Sequence, residues 1–179
     1  MNTSSRCIVA THVMAAMAVF KLATGKFQTL KSDSISASVN TNPVVIRRIL
    51  GMLRKAGLVV SLTGPEGGSM LARDPKTISL LEIYDAVEDG CLFHLHYSQP
   101  SQECPIGYNI QGALGGVFSA AEKAVKKVLA QKTLADIAID IMERSGISEK
   151  LARGFSADEV REKFVFQSGK LIEKSLVNS

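Results

Sequence analysis

The 179-residue sequence lacks three features that would narrow its chemistry at once: an even set of cysteines, a membrane-length apolar run, and a catalytic signature. Three cysteines, an odd number, do not fit the disulfide framework of a small secreted domain. No apolar run approaches the roughly 20 residues that a membrane span requires. The start, MNTSSRCIVATHVMAAMAVFK, looks superficially like a signal peptide, but Arg6 comes late, His12 interrupts the apolar run, and no cleavage-like site follows. A buried first helix and a cytoplasmic protein with no membrane partner are expected. A phosphate loop, a Ser/His/Asp arrangement and a paired-carboxylate pattern are all missing. An enzyme would rest on Cys104 and a histidine alone, so none is expected. Tryptophan is absent too, yet 46% apolar and 21% charged residues leave ample material for a globular core.

Acidic residues are scarce in one half of the chain. Residues 1–80 hold ten Lys/Arg against three Asp/Glu, a balance of +7, whereas residues 81–179 hold eleven against fourteen, a balance of −3. Such asymmetry suggests a polyanion-binding half joined to a half with another task. Chance lopsidedness in a small domain gives the same count, so the motifs must decide.

After a Thr3-Ser4-Ser5 capping cluster, Ile8, Val9, His12, Val13, Ala16, Met17 and Phe20 recur at helical spacing up to Gly25. His12 on that face reads as a packed core histidine, and Cys7 as a small buried hydrophobe. KSDSISASVN (31–40) reads as a short helix with Ile35 and Val39 four apart, although its serines are poor helix formers. Asn42 is a natural N-cap with Pro43 at the first helical position. Val45, Ile46, Ile49, Leu50, Met52 and Leu53 then form a stripe, with Arg47, Arg48, Arg54 and Lys55 away from it, until Gly57. Two short helices around a tight turn make a helix-turn-helix. Leu58–Leu62 and Met70–Arg73 read as strands around the glycine-rich TGPEGGS, which makes a wing, and Ser79 with Glu82 opens a further helix.

Residues 89–104 read as a loop or short strand. From Pro105 a helix of about seven turns, near 40 Å long, carries Ile106, Ile110, Leu114, Val117, Phe118, Val125 and Val128 at near-heptad spacing. Its length favours a dimer interface over an intramolecular core. Thr133 caps another helix, and Ser156-Ala157-Asp158-Glu159 opens a last one. The expected architecture is mainly α with a small β-hairpin wing: a winged helix-turn-helix (1–88), a sensor loop (89–104), dimerisation helices (105–146) and a helical C-terminal extension (147–179).

NTSSR at the start, KAGLV running into GPEGG, and ISLLEIYDAVED together resemble the Rrf2 family of bacterial winged-helix regulators. VNTNPVVIRR and ECPIGYNIQ look most like its cluster-free subgroup. The resemblance covers roughly residues 1–143. It implies a homodimer that binds double-stranded DNA at a palindromic operator, usually as a repressor, with the recognition helix in the major groove and the wing at the minor groove. Carried over, it places Thr41, Asn42, Pro43, Val44, Arg47 and Arg48 at the groove-facing start of the recognition helix. Gly64, Glu66, Gly67 and Gly68 would form the wing tip, with Thr3, Ser5 and Arg6 as phosphate clamps. A winged helix that binds protein instead of DNA is the alternative.

Family members that hold an iron–sulfur cluster use three cysteines in the loop before the dimerisation helix. Here that loop has only Cys91 and Cys104, and Ser98 stands about where the middle cysteine would be. A cluster with three cysteine ligands is excluded by count. Three readings stay open. Cys91 and Cys104 with His94 or His96 could hold zinc or an atypical cluster; the two cysteines could be redox-active; or both could be structural. No cofactor is the expected state, and the effector is not identified.

Overall fold

The structure, a computed structural model, describes residues 3–64, 67–88, 92–93 and 98–177, without the side chains of Thr3, Ser4 and Leu176. Helix α1 spans Thr3–Thr24. It stops where the Thr24 hydroxyl donates to the Phe20 carbonyl (2.8 Å) and Gly25 takes a φ of +72°. Its buried line is Ala10, Val13, Met14, Met17 and Ala18. The expected stripe through Ile8 and His12 is corrected: Ile8 is 68% exposed, and exposed His12 sits with Nε2 3.1 Å from the Ser38 hydroxyl. The segment is apolar almost all round, so periodicity could not choose the inward face. The statement on membrane length also needs correcting, because Ser5–Thr24 is long and apolar enough to cross a membrane. Here the helix is instead the centre of a protein core.

Helix α2 (Ser32–Val39) has no side-chain N-cap and is serine-rich, so packing of Ile35 must hold it. Asn40 ends it in the left-handed region at φ 52°, which asparagine tolerates better than most residues. Helix α3 (Pro43–Lys55) follows at once. It ends in a Schellman motif: Leu58 N–H donates to the Leu53 carbonyl (2.9 Å) and Gly57 N–H to that of Arg54 (3.0 Å), with Gly57 at φ +70°. Leu53 and Leu58 are both buried there.

Strands β1 (Val59–Leu62) and β2 (Gly68–Leu71) pair antiparallel in register Val59↔Leu71 and Leu62↔Gly68. Leu30 adds a third rung, exchanging two hydrogen bonds with Ser69 (2.8 and 2.9 Å). A Cβ on Gly68 would stand 2.8 Å from the Leu30 carbonyl oxygen, so this close approach requires glycine. After a short 3-10 turn (Pro75–Thr77), α4 (Leu80–Val87) opens with the expected capping box of Ser79 and Glu82.

Helices α5 (Pro105–Ala130) and α6 (Leu134–Ser145) differ sharply. No residue of α5 is buried, whereas α6 buries Leu134, Ala135, Ala138 and Met142. Leu134 and Ala138 join the same core as Met14, Ile46, Leu53, Ile83 and Val87. Helix α6, expected beside α5 as a dimerisation helix, packs one face on α1 and completes the winged-helix core, while Ile139 and Ile141 stay exposed. Ties between Leu80 N–H and the Lys132 carbonyl (2.9 Å), and Leu134 N–H and the Ile78 carbonyl (2.8 Å), fix its start.

The extension is helical only as far as Lys163, through α7 (Ile147–Ala152) and α8 (Ala157–Lys163). Strands β3 (Phe164–Gln167) and β4 (Lys170–Glu173) then form a second hairpin, which corrects the wholly helical expectation. Ser168 and Gly169 both have positive φ (50° and 84°), the backbone that a tight two-residue hairpin demands. In α8, the Lys163 ammonium, then the Ser156 backbone and hydroxyl, hold the Glu159 carboxyl down at about 2.

Candidate nucleic-acid interface

The exposed side of α3 is built by what its other side buries. Ile46, Ile49, Leu50 and Leu53 are locked in the core, so helical geometry turns Val44, Arg47, Arg48, Arg54 and Lys55 outward. Asn42 Oδ1 accepts the Val44 N–H (2.8 Å), and Pro43 occupies the first turn, where its missing N–H is no loss. The helix therefore starts abruptly, with Val44 62% exposed at its tip. Thr41 is half-buried in the turn and Asn42 exposed beside it.

Arg47 and Arg54, seven residues apart, line one cleft of about 340 Å³ between α3 and the wing, together with Gly51, Ser61 and Ser32. Arg54 and Ser32 join the expected set although sequence reading left them out; the seven-residue spacing from Arg47 was the signal available for Arg54. A side chain at Gly51 would meet nothing within 4 Å. Glycine inside a helix costs roughly 0.5–1 kcal/mol relative to alanine, and no packing in this chain requires it.

The wing glycines separate by role. Gly64 has a φ of +99°, and a Cβ on Gly67 would lie 2.6 Å from the Gly64 carbonyl oxygen. With Gly68 against Leu30, these residues are dictated by the hairpin's own backbone as well as by any ligand. Glu66 lies outside the described residues.

At the start of α1, the side chain of Thr3 is not described and Ser5 is half-buried with an interaction of its own. Arg6, expected as a phosphate clamp, is engaged within the fold. Its Nη2 sits 3.1 Å from Oε2 of Glu88, a residue at the end of α4 whose side chain is 1% exposed. Glu88 Oε1 also accepts the Cys7 N–H at 3.0 Å, which places a carboxylate near the positive end of α1. The pair joins residues 82 positions apart in the chain, so no local pattern announces it. Burial pushes the Cys7 thiol up, Thr11's hydrogen bond opposes this, and Glu88 adds to it, so Cys7 stays a protonated, poor nucleophile.

The sensor loop is only partly described. Cys91, His94 and His96 lie outside the described residues, and Cys104 is exposed at the N-terminus of α5. Phe93 stacks on Phe118 of α5 (4.6 Å, 10°), and Leu92 N–H donates to Glu122 (2.7 Å), so these two residues lie against α5. Among the described residues no group of three His, Cys, Asp or Glu could hold a metal ion. A hydroxyl at Ser98 does not replace a soft thiolate, so the described donor set does not fit a three-thiolate cluster.

On α5, Ile106, Val117 and Val128 are 75%, 61% and 62% exposed and stand eleven residues apart, three turns of one face. The near-heptad repeat expected there is better described by this longer interval.

Comparison with known proteins adds four findings. The Rrf2 family, described as "Iron-dependent Transcriptional regulator", matches residues 3–140. YwnA of Bacillus subtilis (strain 168), named as a candidate HTH-type transcriptional regulator, is 39% identical over 135 residues, 75% of this chain and 95% of that protein. Among solved structures, a candidate DNA-binding protein is 35% identical with a TM-score of 0.57, over 74% of this chain and 97% of that one. The fold alone is shared with CymR, the global cysteine regulator of B. subtilis (24% identity, TM-score 0.57, 77% and 96% covered).

Proposed function

Since the chain belongs to the Rrf2 family of transcriptional regulators, its winged helix is of the DNA-binding kind, and we propose that it acts as a homodimeric, cytoplasmic repressor on a palindromic operator. The observation that carries this reading is the division of α3. Four aliphatic side chains are locked inward, while Val44, Arg47, Arg48 and Arg54 stand on one outward face beside a basic cleft. An arginine there can pair bidentately with guanine, and Val44 can meet a thymine methyl, each good contact being worth about 1–3 kcal/mol of discrimination. Asn42 and Pro43 set the pitch at which this face enters the groove.

Dimerisation is supported by α5. A 26-residue helix with no buried residue has no reason to hold its length alone, since helical stability in proteins comes mainly from packing. A second copy laid along Ile106, Val117 and Val128 supplies that packing and sets the spacing of two recognition helices.

The test is fluorescence anisotropy with DNA from upstream of the chain's own gene. Binding should fall steeply with salt, at about 0.9 log units per log unit of salt for each phosphate neutralised. Running it oxidised, reduced and metal-loaded decides whether Cys91 and Cys104 matter. No binding at low salt would favour a protein-binding winged helix.

A further inference from the structure

Residues 141–179 lie beyond the part that matches the family, and they are not an appendage. The module from α7 to β4 is laid on the far end of α1, where Val160 and Phe164 become buried. Between them is a cavity of about 310 Å³ walled by Val19 and Phe20 of α1 and by Ala157, Val160, Phe164 and Leu171 of the module. Its lining is aliphatic and aromatic, apart from Arg161 at its edge. Phe20 and Arg161 also line a second groove, of about 300 Å³, whose other wall carries Lys31, Ser34 and Ser38. The two spaces share Phe20 and Arg161 in their walls, one otherwise apolar and the other mixed, with Lys31 and serines among apolar side chains. Each is near the lower end of the about 300–1,000 Å³ typical of small-molecule sites, which combine apolar walls with a few placed polar groups.

Arg161 is exposed, and among the described residues no carboxylate forms an ion pair with it. Lys31 lies across the groove from it. A guanidinium at the mouth of an apolar chamber matches a carboxylate on an apolar body, through two parallel hydrogen bonds.

We propose that these joined spaces bind a small amphipathic carboxylic acid, its apolar part in the chamber and its carboxylate at Arg161, and that this ligand regulates DNA binding. The regulatory half rests on the DNA-binding reading above; occupancy of the cavity does not. The coupling follows from position. The groove wall formed by Lys31, Ser34 and Ser38 belongs to the start and body of α2, and only the turn 40–42 separates α2 from α3. A ligand gripping Arg161 and this wall together favours one placement of α2, and through it of the recognition helix.

The experiment is calorimetric titration of the full chain with decanoate, 2-naphthoate, decan-1-ol and acetate, followed by anisotropy with upstream DNA at saturating ligand. One or both of the first two acids should bind, with the alcohol and acetate at least tenfold weaker. Ala157→Phe, which fills the chamber, should abolish binding, and Arg161→Ala should weaken it at least tenfold with an unchanged melting temperature. Arg47→Ala should leave it unaltered. Bound ligand should shift DNA affinity by about fivefold or more, the scale of ordinary allosteric coupling. Failure of both acids to bind, or binding indifferent to Ala157→Phe and Arg161→Ala, overturns the site. Ligand binding without any shift in DNA affinity overturns its regulatory role. Ligand binding by a chain that binds no DNA overturns the functional reading and leaves the site standing.

Discussion

Helices α3 and α5 have similar apolar patterns and opposite fates. In α3 the stripe disappears into the chain's own core, and the polar side faces out; in α5 the stripe itself faces out. Periodicity reports that a helix has an apolar side, but not whether the surface that covers it belongs to the same chain. The difference lies in their neighbours. Helix α3 is hemmed by α1, α2, α4 and β1, whereas α5 touches its own chain chiefly through α4 and the Phe93–Phe118 stack.

The comparison is broken most completely by charging the outward face of α5. Val117→Asp with Val128→Asp should convert dimers to monomers in sedimentation and cost a palindromic operator most of its affinity. Phe118 is the poorer choice, because Phe93 already uses it within the chain. Arg6→Ala should destabilise the fold by about 3 kcal/mol in urea unfolding, because it leaves the buried Glu88 carboxylate without its cationic partner and with only the Cys7 N–H to hold it. That cost belongs to α1 and should leave the salt dependence of DNA binding unchanged. Arg47→Ala should weaken specific binding by about 1–3 kcal/mol with little change in stability, the reverse of Arg6→Ala. Asn42→Ala removes the cap on Val44 N–H and should cost about 1 kcal/mol of stability. The smallest effect sharpens the contrast further. Gly51→Ala should raise stability by roughly 0.5–1 kcal/mol while weakening DNA binding, because the added methyl narrows the cleft that Arg47 and Arg54 line.

The helix-turn-helix was legible because its signals are local: Asn42-Pro43 at one end of α3, Gly57 at the other, and a glycine-rich turn after it. The capping boxes at Ser79, Thr133 and Ser156 were legible for the same reason. What escaped depended on distant partners. His12 was misplaced because α1 is apolar on every side. The Arg6–Glu88 pair joins two ends of a domain, and the packing of α6 on α1 escaped because nothing in the residues of α6 names α1. The β3–β4 hairpin was hidden behind Ser168, a residue that rarely takes positive φ. For the candidate site, the outward placement of Val44, Arg47 and Arg48 was legible from helical spacing, whereas the cleft that joins Arg54 to Arg47 and the ion pair of Arg6 with Glu88 depend on tertiary packing.

Whether the outward face of α3 reads DNA is tested most directly by anisotropy of wild type and Arg47→Ala on upstream DNA and on a scrambled duplex across salt. The variant should lose most of its preference for the upstream sequence, while its salt slope falls by about one unit at most. An unchanged preference in a correctly folded Arg47→Ala chain would contradict a DNA-reading role for that face.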